Sequence, residues 1–141
     1  MTCLQYRSTF PNPLSQYLRV QTRPPITPWY SHFKDIRRAL IVKLSRLRTG
    51  HNRLPPHMKR INLSETDLCP FHTNNPSIAT LNHILFECKN LHKIRLNLYT
   101  SALNLKIPTP FSSDTLLSSE NIKIFPEICK FISLIPDPLI I

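Results

Sequence analysis

"DLCPFHTNNPSIATLNHILFEC", residues 67–88, holds two cysteines and two histidines in the order Cys69, His72, His83, Cys88, with the spacing C-x2-H-x10-H-x4-C. A structural zinc ion takes four nitrogen or sulfur ligands in a tetrahedron, commonly as two close pairs separated by a loop. The first pair suits that scheme, because a tight turn through Pro70 and Phe71 can aim Cys69 and His72 at one point. The second pair is harder. In an ideal α-helix residues five apart diverge by about 140° and rise about 7.5 Å, so His83 and Cys88 share a metal only if the helix starts late, tightens or breaks between them. Other readings stand beside the metal one. Cys88 falls on an apolar helical stripe, where a reduced cysteine is a good small hydrophobe. His83 can cap or flank a helix start, and His92, one turn after Cys88 at i, i+4, is a rival ligand.

Two strong helical periods bracket the cluster. Leu81, Ile84, Leu85, Cys88, Leu91, Ile94, Leu98 and Tyr99 recur at steps of three and four and predict a helix over about 80–102, with Lys89, Lys93 and Arg95 elsewhere on the wheel. Trp29, Phe33, Ile36, Leu40, Leu44 and Leu47 predict another over about 30–48, with Lys34, Arg37, Arg38 and Arg48 together on one flank. Gly50, the only glycine, stands where a left-handed helix cap is wanted. Pro56 can open a short helical turn through Met58 and Ile61. Ser113 with Asp114 offers an N-cap for a short helix through Leu116 and Leu117. A last helix begins near Pro126 and turns Ile128, Phe131, Ile132 and Ile135 inward. Residues 1–28 carry prolines at 11, 13, 24, 25 and 28 without a sustained period and read as an extended leader. The expected fold is therefore mainly α: a small helical bundle around a Cys/His zinc-knuckle-like loop, with an extended Pro-rich N-terminus. Its parts are a leader over 1–28, a helical Cys/His module over 29–104 and a helical extension over 105–141.

At 141 residues there is room for one compact domain. Eighteen Lys and Arg against eight acids give a formal charge of +10, the balance of chains that meet polyanions. Arg37, Arg38, Lys43, Arg46, Arg48, Arg53, Lys59 and Arg60 concentrate that charge between residues 37 and 60. Phosphate contacts from Arg37, Arg38, Arg46, Arg48, Arg53, Lys59 and Arg60 would give RNA or DNA binding that weakens with salt and has little sequence preference. Phe71 reads as core before it reads as a stacking platform. With Cys3 and Cys129 far from the cluster, the four cysteines do not form a secreted disulfide framework. No apolar run is long enough for a signal peptide or a membrane span, and an intracellular location is expected. The acids Asp35, Glu65, Asp67, Glu87, Asp114, Glu120, Glu127 and Asp137 are scattered, without the clustered carboxylates that two-metal catalysis uses. One glycine cannot build a phosphate-cradling loop, and neither G-x-S-x-G nor H-E-x-x-H occurs. A non-catalytic chain is expected.

Joined together, R-x-R-x-G-H at Arg46, Arg48, Gly50 and His51, the pair Cys69 and His72, and H-I-L-x-E-C from His83 to Cys88 resemble a segment of non-LTR retrotransposon polyproteins. That segment lies downstream of the reverse transcriptase, often after the RNase H domain, and is described as a zinc-knuckle-like module. The resemblance covers about residues 28–102. It implies zinc held by Cys69, His72, His83 and Cys88, with His72 where the family more usually has a second cysteine. It also implies that residues 1–28 are the stub of an upstream RNase H domain, and that separate reverse transcriptase or RNase H parts are partners. Two alternatives to nucleic-acid binding follow: a helical segment that docks on such a part, with its charges only solvated, or a non-functional remnant of a mobile element.

Overall fold

The structure, a computed structural model, describes residues 16–72, 74–136, 139 and 141. Residues 1–15 of the expected leader, with Cys3, lie outside the described residues, as does Asp137. The observed helices are α1 (Gln16–Val20), α2 (Arg38–Thr49), α3 (Pro55–Arg60), α4 (His92–Asn104), α5 (Ser113–Leu117) and α6 (Phe125–Leu134). Single 3-10 turns at Trp29–His32 and Lys89–Leu91 and a longer one at Ser119–Ile124 join them. Among the described residues there is no named strand, only an isolated antiparallel bridge between Leu68 and Ile78. The mainly α bundle read from the sequence is thus the observed fold, and the Cys/His loop lies against its helices. No helix among the described residues is long and apolar enough to cross a membrane.

α6 is the most apolar helix and packs against both α2 and α4. Phe125, Ile128, Cys129, Phe131 and Ile132 of α6 are buried with Leu44 and Leu47 of α2 and Leu98 and Ala102 of α4. Each large side chain so enclosed stabilises the fold by about 1.5–3 kcal/mol relative to exposure. Residues 21–28 are non-helical and Pro-rich, as expected. Just before them, α1 was not anticipated: it buries Leu18 and Val20 and packs on α2 and α5.

The helix expected over 30–48 begins only at Arg38. In one continuous helix Trp29 would stand about 24 Å from Ser45. Instead its indole N–H donates to Ser45 Oγ at 3.2 Å, and its ring meets Phe125 edge to face at 5.3 Å. Extended backbone at Phe33 and Arg37 brings the chain back to make these contacts. The apolar period still marks the inward side chains: Leu44 and Leu47 are buried, and Trp29, Phe33, Ile36 and Leu40 pack half-buried on the core.

Arg48 departs from its expected role on the basic flank. It is 4 % exposed. Its guanidinium donates to the Leu117 carbonyl at 3.0 Å, the Gln21 side-chain oxygen at 2.8 Å and the Val20 carbonyl at 3.5 Å, and lies over the Phe125 ring. Val20 and Leu117 are the last residues of α1 and α5, so Arg48 satisfies carbonyls that helix ends leave open. A side chain so enclosed is removed from any phosphate-binding set.

With one glycine in the chain, the other helix ends use different residues. Gly50 ends α2 at φ 80°, and its N–H donates to Leu47. α3 and α4 end in Schellman motifs with Asn62 (φ 62°) and Lys106 (φ 57°) in the left-handed region. In the first, Leu63 N–H reaches Met58 and Asn62 N–H reaches Lys59; in the second, Ile107 N–H reaches Ala102 and Lys106 N–H reaches Leu103. At α5 the N-cap is Ser112, whose hydroxyl accepts the Thr115 N–H at 3.1 Å, one residue before the expected Ser113.

A Cβ on residue 50 would meet Gln16 Cβ at 3.1 Å as well as straining the backbone. Gly50→Ala is expected to lower unfolding free energy by about 1–2 kcal/mol, and Lys106→Gly to raise it by about 0.5–1 kcal/mol. Urea denaturation of the two variants checks both signs.

Candidate metal centre

The loop half of the site is a small hairpin. The bridge between Leu68 and Ile78 is flanked by Cys69 N–H to Ser77 C=O at 2.7 Å and Ala79 N–H to Asp67 C=O at 2.9 Å. Beyond it, a turn closes with His72 N–H to Cys69 C=O at 3.4 Å, which puts both side chains on one side as the x2 spacing requires. The Asn90 amide donates to the Phe71 carbonyl and ties this turn to the Lys89–Leu91 segment. Phe71 packs half-buried against the core.

The second half resolves the difficulty of the five-residue spacing in an unanticipated way. His83–Glu87 is a π-turn, wider than an α-helix, closed by Cys88 N–H to His83 C=O at 2.8 Å. A bond from residue i+5 to residue i stacks residues five apart on one side, where an α-helix would splay them. The Thr80 hydroxyl oxygen accepts the His83 N–H at 3.1 Å and starts the turn. At Cys88 the backbone becomes extended (φ −64°, ψ 115°), and α4 begins only at His92. The single helix expected over 80–102 is therefore widened and then broken at the ligands.

Arg95 reaches back to the carbonyls of the widened turn, of which that of Cys88 also accepts the Leu91 N–H at 3.2 Å and that of Phe86 the Tyr99 hydroxyl at 3.5 Å. Arg95 Nη2 donates to the carbonyls of Ile84 and Cys88, both at 2.9 Å, and its Nη1 to Phe86 at 3.2 Å. Arg95 is 3 % exposed, not on the solvated side of the wheel where it was expected. The signal was in the sequence: Leu91, Arg95, Leu98 and Ala102 form a stripe at steps of four, three and four, and the other three are buried. Burial lowers the Arg95 pKa from its usual value.

The ligand atoms of Cys69, His72, His83 and Cys88 all lie within 4.8 Å of one another, and together they can hold a metal ion. Cys69 Sγ is 3.9 Å from Cys88 Sγ, Cys88 Sγ is 3.4 Å from His72 Nε2, and His72 Nε2 is 3.2 Å from His83 Nε2. Cys69, His83 and Cys88 are buried, and half-buried His72 closes the site from the loop side. His83 Nδ1 faces Glu87 Oε2 at 3.5 Å, the carboxylate partner that orients a ligating imidazole. Burial, outweighing Glu87, lowers the His83 pKa and so favours the neutral imidazole a metal needs. Burial and the neighbouring Cys88 push the Cys69 thiol up to about 11, against a lowering contribution from the Phe71 backbone N–H. The rival ligand His92 is exposed and outside the group.

The expected nucleic-acid residues divide. Arg37, Arg38, Arg53, Lys59 and Arg60 are exposed, Arg46 is half-buried and Arg48 is buried. Arg37 and Arg38 stand at the start of α2 while Arg53, Lys59 and Arg60 follow its end, so the length of α2, about 18 Å, separates two groups. Lys59 is paired with Asp67 at 3.6 Å.

No family model, no characterised protein and no solved structure matches the chain.

Arg95→Met is expected to destabilise the chain by about 1–3 kcal/mol, by removing the guanidinium from the buried Ile84 carbonyl and weakening the bonding at Phe86 and Cys88. Arg95→Lys should recover only part of this, since a single ammonium cannot reproduce the guanidinium fork; denaturant unfolding measures both. Only the thiolate binds metal, and the Cys69 thiol is protonated at pH 7. Apparent affinity for cobalt(II) should therefore fall at least about ten-fold per pH unit on acidification from pH 8 to 6, read from the absorption of the cobalt complex in chelator competition.

Proposed function

We propose that the chain is a non-catalytic, zinc-stabilised nucleic-acid-binding module, related to the segment that follows RNase H in non-LTR retrotransposon polyproteins. The observation that carries this reading is the agreement of three of the six ligand separations with a zinc tetrahedron, all six lying within 4.8 Å. Bonds of about 2.3 Å to sulfur and 2.0–2.1 Å to nitrogen require separations of about 3.8 Å for S–S, 3.6 Å for S–N and 3.3 Å for N–N. The corresponding separations here are 3.9, 3.4 and 3.2 Å. Two thiolates and two imidazoles suit zinc, and four protein ligands leave no open position for a reacting water, the arrangement of a structural site. The ion would clamp the 67–79 hairpin to the turn that precedes α4.

The charge of +10 and the exposed Arg37, Arg38, Arg53, Lys59 and Arg60 support binding to a polyanion. A second reading, docking on a polymerase or RNase H part, is favoured by one feature: Leu68 and Ile78, paired across the hairpin bridge, are 41 % and 50 % exposed.

Fluorescence anisotropy with single- and double-stranded oligonucleotides across a salt series separates the readings. If the five exposed cations and Arg46 each contact a phosphate, log K should fall against log salt with a slope of about −4 to −5. Affinity that ignores salt, or no affinity, favours the docking reading.

A further inference from the structure

A cleft of about 600 Å³ lies where α1, the Gly50 turn, α3 and residues 79–81 meet, on a different part of the surface from the metal ligands. Arg19, Arg60, His51 and His57 line it, and among the described residues no carboxylate does. We propose that this cleft binds a phosphate group, carried by a nucleic acid either as a terminal phosphomonoester or as an internal phosphodiester. The identity of that ligand rests on the nucleic-acid reading above; the site rests on its own geometry.

The donor side chains are held in place by their neighbours. Asp114 Oδ2 pairs with Arg19 Nε at 3.2 Å, and the Gln16 side-chain oxygen accepts from Arg19 Nη2. Gln16 in turn donates to Asp114 Oδ1 at 3.2 Å, so amide and carboxylate together fix the guanidinium at the cleft wall. Arg60 Nη2 donates to His57 Nδ1 at 2.7 Å. That bond makes Nδ1 the acceptor and leaves the ring proton on Nε2, so His57 presents an N–H donor. Burial, the Arg60 guanidinium and His51 hold His57 below the usual imidazole range, consistent with this neutral form. The His51 ring meets His57 edge to face at 5.6 Å. The Asn52 side-chain oxygen accepts the Leu54 N–H at 2.9 Å, which leaves the Asn52 amide nitrogen as a further donor on the cleft wall.

The lining therefore offers several N–H donors together with the Arg60 charge and an Arg19 charge shared with Asp114, the chemistry that selects a phosphoryl group over a neutral ligand. Gly50, with no side chain, keeps the floor open between Gln16 and His51. The volume falls within the range of small-molecule sites, enough for a phosphate with its sugar. Arg60 is exposed and its side chain hydrogen-bonds His57, so its replacement tests the site without removing core packing.

The test is a titration of the full chain with inorganic phosphate at constant ionic strength, followed by NMR of the histidine ring resonances. His51 and His57 should shift saturably while His32 and His92, exposed and outside the cleft, stay still. Arg60→Gln should weaken this binding about ten-fold. Oligonucleotides with and without a 5′-phosphate then separate the two sources: a preference of about ten-fold for the phosphorylated one means a phosphomonoester site, and equal affinity with the same ring shifts means a phosphodiester site. Parallel movement of all four histidines, no movement, or an Arg60→Gln affinity equal to that of the parent would overturn the proposal. Oligonucleotides that bind without moving His51 or His57 refute the cleft and leave the nucleic-acid reading standing. Phosphate that moves both rings in a chain that binds no oligonucleotide does the reverse.

Discussion

The hydrogen bond from Cys88 N–H to His83 C=O, 2.8 Å long, is the constraint on which the site depends. In an α-helix the same two residues would point well apart and the loop ligands would have nothing to close on. Widening the turn stacks them, and Cys69 and His72 arrive opposite on a hairpin whose own backbone bonds fix their positions. A π-turn is rare and occurs mostly as a single turn. Here it is supported by Thr80 at its start and by Arg95 against its carbonyls. The break at Cys88 that ends it also lets α4 start in a new direction, and α4 is the helix that carries Arg95 back. Ligands, turn and latch form one local unit.

Scarcity of glycine explains much of the remaining architecture. Helices commonly end on a left-handed glycine, and this chain has one to offer. Asn62 and Lys106 take that conformation at two other ends, with strain in the case of lysine. Elsewhere two arginines do the work of caps from a distance: Arg48 at the ends of α1 and α5, Arg95 at the end of the wide turn. Both are buried and count toward the formal charge without adding to the exposed basic surface. Of the cations expected to meet phosphate, those that reach solvent fall before and after α2, so a polyanion would meet a spread of contacts and not a single stripe.

Helix content and the inward residues were legible in the sequence, because apolar period reports burial whatever the local backbone does. Trp29, Phe33 and Ile36 face the core as their spacing indicated, although the chain there is not a continuous helix. Continuity was not legible: the reversal before Arg38 is set by Trp29 reaching Ser45 and Phe125, contacts between distant parts of the chain. The four residues of the candidate site were legible as residue types in a metal-like order, and the incompatibility of His83 and Cys88 with a shared ion on an α-helix was also visible. The remedy was not, since a π-turn has no short sequence signature. The burial of Arg48 and Arg95 runs against the rule that charge means exposure, but each sits at a core position of its helix beside buried leucines.

X-ray absorption at the zinc edge, on protein expressed with zinc and purified without chelator, tests the central claim most directly. The account predicts one ion per chain with two sulfur scatterers at about 2.3 Å and two nitrogen scatterers at about 2.0–2.1 Å, and loss of one sulfur in each of Cys69→Ser and Cys88→Ser. A shell of light atoms alone, or protein that carries no zinc and keeps its helical circular dichroism in strong chelator, would contradict it.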